Sequence, residues 1–419
     1  MARMILISIG SSGDVHPLLG IAGQLQQLGH EVIFITNPFF EPLVRQLGFA
    51  FRPLGTSEEF KTVTANPKVW HPVHGVKLLT RWAMLHTLEP IYQHLQQLYL
   101  PGETVVAAPI TALGARIAQE KLGLPLATIH LQPAVLRSVY ESPSLPPMLL
   151  GRGIPKWLKR LQFLLADRLF ADLLVAGETN HFRKGLELPP IHRLFHVWCH
   201  SPQRVIGLFP SWYAPPQPDW PTETRLTGFP LWDERDVRQA NPEIEAFLQG
   251  GSPPLIFTPG SAMQHGRDFF RVAVEASRQL KRRAILLTRY PEQIPEQLPE
   301  GVVYFDYIPF SQILPRAAAL IHHGGIGSTA QALSAGIPQL IMAMAFDQPD
   351  NAARVERLNA GAGLRRHQFR TPRVTGLLEK LLASEPIAAG CREIRGRFPT
   401  ESALADTATL IEQLVGQDR

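Results

Sequence analysis

Only two of the 419 residues are cysteine, Cys199 and Cys391. Two thiols cannot build a disulfide framework, and their scarcity fits a reducing compartment. Long hydrophobic runs are missing as well, since no stretch of about 18 apolar residues exists to cross a bilayer. The opening residues, Met1-Ala-Arg-Met-Ile-Leu-Ile-Ser-Ile-Gly10, form a short apolar run broken by glycine. They have neither the apolar stretch nor the small-residue cleavage site of a secretion signal, so a cytoplasmic protein is expected, peripheral to the inner membrane face at most. Charge is sparse too: Asp, Glu, Lys and Arg make up 18% of the chain, below the roughly 25% of a typical soluble domain. Lys and Arg outnumber Asp and Glu by only 41 to 36, a formal +5, and no block of like charge occurs. No nucleic-acid partner is expected, whereas a phosphate-bearing substrate or an anionic surface suits the small surplus. No Gly-Lys pair is present, so there is no P-loop.

Proline, by contrast, is abundant at 38 of 419 residues, 9%, where about 5% is usual. With 45% hydrophobic residues and no low complexity, the excess reports fixed turns rather than disorder. The chain is too long for one ordinary core of about 100–200 residues, so two domains are expected. Met4 to Ile9 is a continuous apolar run, followed by Gly10-Ser-Ser-Gly13 and a helical pattern through Leu18, Leu19, Ala22 and Leu25. A second apolar run covers 31–36. Uniformly apolar strands joined by helices are the signature of a parallel sheet buried on both faces. Further runs follow at 104–108, 126–131 and 204–209. The segment 210–230 has no period and carries six prolines, which reads as a rigid linker. After it the rhythm restarts at 255–258, 284–288, 302–305, 319–322 and 339–342. The expectation is an α/β protein of two doubly wound, Rossmann-like domains facing a central cleft, where open α/β sheets bind ligands. The first spans 1–221, the second 222–395, and 396–419 holds an amphipathic helix that either caps the second domain or crosses back to the first.

The strongest local motif is His322-His-Gly-Gly-Ile-Gly-Ser-Thr329, between an apolar strand and a helical pattern. Glycines let the backbone approach a ligand, and Ser328, Thr329 and the free N–H groups of a helix start can hold an anionic phosphate, with an imidazole just upstream. A tight strand-to-helix turn with a satisfied histidine is the plain structural alternative.

The run from Tyr307-Ile-Pro-Phe-Ser through His323-Gly-Gly-Ile-Gly-Ser-Thr to Ala335-Gly-Ile-Pro-Gln and Phe346-Asp-Gln-Pro-Asp-Asn351 resembles the donor-binding signature of inverting glycosyltransferases of the GT-B fold, family 1. The loop Gly10-Ser-Ser-Gly-Asp-Val-His-Pro17 resembles the acceptor-side loop of the same family. The junction from His200 to Pro221 is similar to the rhamnosyltransferase subgroup of rhamnolipid synthesis, and sterol and antibiotic-aglycone glucosyltransferases share the other motifs. The resemblance implies a nucleotide-sugar donor, of dTDP-rhamnose or UDP-glucose type, and a hydrophobic hydroxyl-bearing acceptor. It implies that Tyr307 stacks on the base, that the Ile308 backbone pairs with its edge, and that His323, Gly325, Gly327, Ser328, Thr329 and Ser261 hold the diphosphate. Asp347 and Gln348 would meet sugar hydroxyls and Asn351 would buttress the loop. No metal and no separate cofactor is needed, because the diphosphate is held by hydrogen-bond donors.

An inverting transfer needs a base to take the acceptor proton, and Asp14 is the candidate, with His16 as base or orienter. Gly13 and His130 are acceptor-side candidates. Asp14 also reads as a helix cap, Tyr307 as a core tyrosine, and both histidines as satisfied structural residues. His192, His196, Cys199 and His200 form a weaker candidate metal cluster, which no carboxylate completes. Residues 151–170 are basic, aromatic and amphipathic, which fits either contact with a membrane surface or a helix packed over the acceptor pocket. A sugar-nucleotide epimerase and a silent partner subunit are the competing functions. A dehydrogenase is disfavoured, since Gly10, Gly13 and Gly20 do not make G-x-G-x-x-G.

Overall fold

The structure, a computed structural model, describes residues 1–71, 74–144, 153–238, 241–398 and 403–417. The chain forms two compact units, Met1–Pro230 with Glu401–Arg419, and Leu231–Thr400. Each is built on one all-parallel sheet. In the first unit the strands are β1 (Arg3–Ile7), β2 (Glu31–Thr36), β3 (Ala50–Pro53), β4 (Thr104–Pro109), β5 (Leu126–His130), β6 (Arg204–Gly207) and β7 (Thr224–Leu226), in the order β3-β2-β1-β4-β5-β6-β7. In the second they are β8 (Leu255–Thr258), β9 (Ala284–Leu287), β10 (Val302–Phe305), β11 (Ala319–His322), β12 (Gln339–Ala343) and β13 (Gly361–Arg365), in the order β10-β9-β8-β11-β12-β13.

Both orders reverse direction once. The chain winds outward from β1 to β3 and returns to the other side of β1 with β4; it winds from β8 to β10 and returns beside β8 with β11. These reversals are the points where connections leave a sheet in opposite directions, and ligands of open α/β sheets bind outside the strand carboxyl ends there. Central strands are completely buried, as in Met4, Ile5, Leu6 and Ile7 of β1 and Leu255 to Phe257 of β8. The covering helices supply the other half of each core, such as Phe269 and Phe270, with Phe269 stacked on Phe369 at 4.9 Å.

The proline-rich segment 210–230, expected as a rigid linker, is part of the first unit. Its rings pack inward: Phe209 lies 6.2 Å from Trp220, and Tyr213 5.1 Å from Phe229. Trp220 Nε1 donates to Leu136 O at 3.1 Å, and Val139 N–H donates to the Asp219 carboxylate at 2.8 Å. Because β7 pairs with β6, the first unit runs to Pro230 and not to 221.

The helix Ala403–Glu412 lies against α1 (Ser12–Gln27) in the first unit. Its buried face is Ala403, Leu404, Thr407, Ala408 and Ile411. Thr407 Oγ1 meets Thr227 Oγ1 at 2.8 Å, and His30 Nε2 donates to Glu412 at 2.9 Å while its Nδ1 accepts from Ala2 N–H. Ile411 is 1% exposed. Ile411→Ala is expected to lower the unfolding free energy by about 2–4 kcal/mol, measured by urea denaturation of the full chain; a change near zero would show that this helix contributes no core.

Candidate active site

Strand register places the second unit's loops. Thr258 of β8 pairs with His322 of β11, and His322 with Ile341 of β12. Pro259-Gly260-Ser261, His323-Gly324-Gly325 and the turn 344–347 therefore emerge side by side at the carboxyl edge, around the β8/β11 reversal. The loops approach closely because they carry glycine. A β-carbon on Gly260, whose φ is +101°, would lie 2.7 Å from the His323 ring, and one on Gly325 would lie 2.5 Å from its Nε2. Gly324, at φ +93°, leaves room for Ile341 and Gln348.

His322 and His323 have different settings. His322 is fully buried, its Nδ1 accepting from Gly324 N–H at 3.1 Å and its Nε2 donating to Gln339 Oε1 at 3.0 Å. Gln339 in turn donates to Thr329 O, so His322 ties the glycine loop to β12 and the following helix. Burial holds the His322 pKa down to about 3 and the His323 pKa down to about 4. Both are neutral at pH 7, which makes His323 a hydrogen-bond donor rather than a cation. Its Nδ1 has no hydrogen-bond partner among the described residues.

Gly325 is the N-cap of the helix Ile326–Ala335, and no side chain caps that end. The N–H groups of Ile326, Gly327 and Ser328 are left without intrahelical acceptors, as the first residues of every helix are. Gly327 is exposed and Ser328 half-buried. Thr329 departs from expectation: it is fully buried, with its N–H on Gly325 O at 3.0 Å, so its hydroxyl does not line the outer rim. Ser261 is exposed on the neighbouring loop.

The helix Gln348–Arg357 begins after Phe346, a non-glycine residue at φ +57° whose strained backbone sets the turn. Asn351 is fully buried and donates to Gly324 O at 2.9 Å and Asp347 Oδ2 at 2.7 Å. Asp347 is half-buried. Gln348, expected to meet a sugar hydroxyl, is buried and caps the loop instead: its Oε1 accepts from Met344 N–H at 2.8 Å and Ala345 N–H at 3.1 Å. Only its amide NH2 remains to donate.

Tyr307 follows β10. Its hydroxyl donates to Asp233 O at 2.8 Å, and the guanidiniums of Arg238 and Arg289 lie 4.3 and 5.5 Å from its ring centre. Arg238 is fixed by Glu234 at 2.6 Å, and the Asp233 carboxylate accepts from Ser311 N–H at 2.7 Å. A ring expected to offer an open face to a base is thus already in contact with Arg238. Asp233, Glu234 and Arg238 had no signal in the sequence, since 231–238 has neither helical nor strand period. The Ile308 side chain is buried in the core beside Ile313 and Leu314 and anchors the backbone after Tyr307.

In the first unit Asp14 is the third residue of α1. Its Oδ2 accepts from Ser11 N–H at 2.8 Å, and Ser11 Oγ accepts from Gly13 N–H at 3.3 Å. The carboxylate packs directly over Gly10, at φ +139°, where any β-carbon would collide with it. Burial raises the Asp14 pKa to about 6, against the lowering effect of the Ser11 hydrogen bonds. Gly13 is exposed, and its carbonyl has no helical partner because Pro17 lacks an N–H. His16 is buried in the first turns of α1. A small pocket beside Gly10 is lined by Ser8, Asn37, Leu54, Trp82 and His86.

His130, at the end of β5, is buried with its ring 5.1 Å from that of His200. Burial and His200 keep its pKa well below the usual value. The His192, His196, Cys199 and His200 group does not converge. His192 and His196 are exposed, and Cys199 is buried with Sγ against Phe195 O, its thiol pushed up to about 12. Among the described residues no three His, Cys, Asp or Glu side chains are placed to hold a metal ion, and no helix is long and apolar enough to cross a membrane.

A parallel sheet with an uncapped helix N-terminus at its reversal point has the geometry that open α/β sheets use for anionic ligands. Residues 4–141 match the family profile described as the glycosyltransferase family 28 N-terminal domain, where family 1 was expected, and residues 284–413 match the erythromycin biosynthesis protein CIII-like C-terminal domain. The O-mycaminosyltylonolide 6-deoxyallosyltransferase of Streptomyces fradiae is 31% identical over 375 residues, 86% of this chain and 85% of that one. The vancomycin aglycone glucosyltransferase of Amycolatopsis orientalis is 29% identical over 86% of this chain and 85% of its own. Among solved structures, the glycotransferase of kitacinnamycin superposes with a TM-score of 0.76 at 20% identity over 99% of both chains. The glycosyltransferase VinC, in complex with dTDP, superposes at 0.69 and 16% identity over 99% of this chain and 100% of its own. The chain belongs to the GT-B glycosyltransferases and is an enzyme of that class.

Asn351→Ala removes one hydrogen bond to the glycine loop, at Gly324 O, and one to Asp347 in the neighbouring turn. A loss of about 1–3 kcal/mol is expected, read as a lower Tm by calorimetry; an unchanged Tm would show that the loop holds its shape without Asn351.

Proposed function

We propose that the protein is an inverting, metal-independent hexosyltransferase that moves a sugar from a nucleoside diphosphate to a hydroxyl of a hydrophobic aglycone. The carrying observation is the set of free N–H groups at Ile326, Gly327 and Ser328 beside the His323 imidazole. Neutral hydrogen-bond donors stabilise a diphosphate as its charge grows on departure, with no need for a cation. Ser261 adds a hydroxyl from the adjoining loop, and Asp347 is the sugar contact. A dTDP-linked 6-deoxyhexose is the preferred donor, supported by the dTDP in VinC and by the deoxysugar in the name of the Streptomyces relative. UDP-glucose is the other donor to compare. An antibiotic-type aglycone is favoured over a 3-hydroxyacyl lipid by the relatives' names. A screen of both donors against both acceptor types, read by intact product mass, decides these points, and hydrolysis or epimerisation without transfer would overturn the proposal.

Asp14 takes the acceptor proton as the hydroxyl oxygen attacks the anomeric carbon and the diphosphate leaves from the opposite face. A carboxyl with a pKa near 6 is ionised at pH 7 yet basic enough to hold the proton once transferred. kcat/KM is expected to fall about tenfold per pH unit below about pH 6 as Asp14 protonates. Asp14→Asn is expected to lower kcat by about 10²–10⁴-fold with dTDP affinity unchanged by calorimetry; retained turnover would remove Asp14 from the role.

His323→Ala removes a donor to the diphosphate, and Gly260→Ala displaces the same imidazole by steric contact. Each is expected to weaken dTDP binding by about tenfold, measured by titration calorimetry. Equal affinity in both variants would place the diphosphate elsewhere.

A further inference from the structure

One surface of the first unit lies outside the chemistry described above. The helix Lys156–Ala166 continues directly into a wider helical stretch, Asp167–Ala176, with i→i+5 hydrogen bonding. Along it Trp157, Leu161, Leu165, Leu169 and Leu173 recur every fourth residue and are 44% to 76% exposed. Large side chains at these exposures, one after another, contrast with the inner face of the same stretch, where Phe163, Asp167 and Val175 are buried.

The change of helix type keeps these residues aligned. At 3.6 residues per turn a step of four overshoots a full turn by about 40°, so a fourth-residue stripe on a long α-helix drifts round to the buried side. In the wider stretch the advance per residue is smaller and a step of four falls short of a full turn. The overshoot from Trp157 to Leu165 is therefore offset between Leu165 and Leu173.

Charge on this face has one sign. Lys156, Arg160 and Arg168 are exposed. The two acids of the stretch are turned to the protein: Asp167 pairs with Arg137, and Asp172 accepts from Arg193 N–H at 3.2 Å and Leu194 N–H at 3.3 Å. Lys156 Nζ lies 3.7 Å from the ring centre of Tyr140, which adds a further exposed aromatic at the same end.

We infer that this face is a docking surface for an anionic lipid layer, with the leucines and Trp157 in the acyl boundary and Lys156, Arg160 and Arg168 on the headgroups. An apolar row flanked by cations and free of outward acids is complementary to lipid headgroups over tails, and an aromatic at one end suits the interface. A second copy of this chain is a poorer match, because the same cations would face each other.

Sedimentation of the full-length protein with vesicles of equal parts phosphatidylcholine and phosphatidylglycerol tests this. Binding is expected, falling in high salt and on vesicles of phosphatidylcholine alone. The double variant Leu169→Asp, Leu173→Asp and the double variant Arg160→Glu, Arg168→Glu are each expected to weaken it by at least about tenfold, with unchanged thermal melting because all four side chains are exposed. Three results would overturn the inference: no vesicle binding by the wild type, equal binding by the variants, or a wild-type dimer in light scattering that the leucine variant makes monomeric.

Discussion

The carboxyl edge of the second sheet depends on how closely two backbone loops approach one imidazole. His323 sits where β-carbons on residues 260 and 325 would have to be, so glycine at both positions is a steric requirement of the ring's location. From that contact the remainder follows. The ring fixes the separation of the loops after β8 and β11, Gly324 O is held by Asn351 from the helix beyond β12, and His322 and Gln339 lock the underside. The open helix end needs no side-chain cap of its own, because neighbouring loops hold it in place. Burial keeps both imidazoles neutral, so this edge presents oriented dipoles and avoids stacking like charges on a helix start.

The first unit repeats the device with opposite polarity. Gly10 lets a carboxylate close over the backbone at the end of β1, and the capping box that starts α1 holds it there. Helix capping and base chemistry are compatible readings of Asp14. The hydrogen bonds from Ser11 orient the carboxylate, while the protein around it withholds water and raises its proton affinity.

Much of the fold was legible in the sequence because central parallel strands are apolar on both faces. Residues 31–36, 255–258, 302–305 and 319–322 are strands at those limits. The three missed strands, β3, β7 and β13, are all at sheet edges. Each is short or glycine- and proline-bearing and has one exposed side, so none presents an apolar run: Ala50-Phe-Arg-Pro, Thr224-Arg-Leu and Gly361-Ala-Gly-Leu-Arg. At the site, the glycine loop was readable because its function lies in backbone geometry. Gln348, Thr329 and Tyr307 were harder to place, because a polar or aromatic side chain in a motif does not reveal which way it turns. The structure turns the first two inward and sets Arg238 against the third.

The return of the last helix to α1 makes the second unit an insertion in the first. Leu231–Thr400 is one uninterrupted segment, whereas the first unit is assembled from two pieces separated by its whole length. During synthesis the chain is made from its N-terminus, and a contiguous domain can fold as soon as it emerges. The second unit therefore has everything it needs before the first does. The face of α1 that receives Leu404, Ala408 and Ile411 stays uncovered until residues 403–412 leave the ribosome, so the unit begun first is completed after the unit inserted in it.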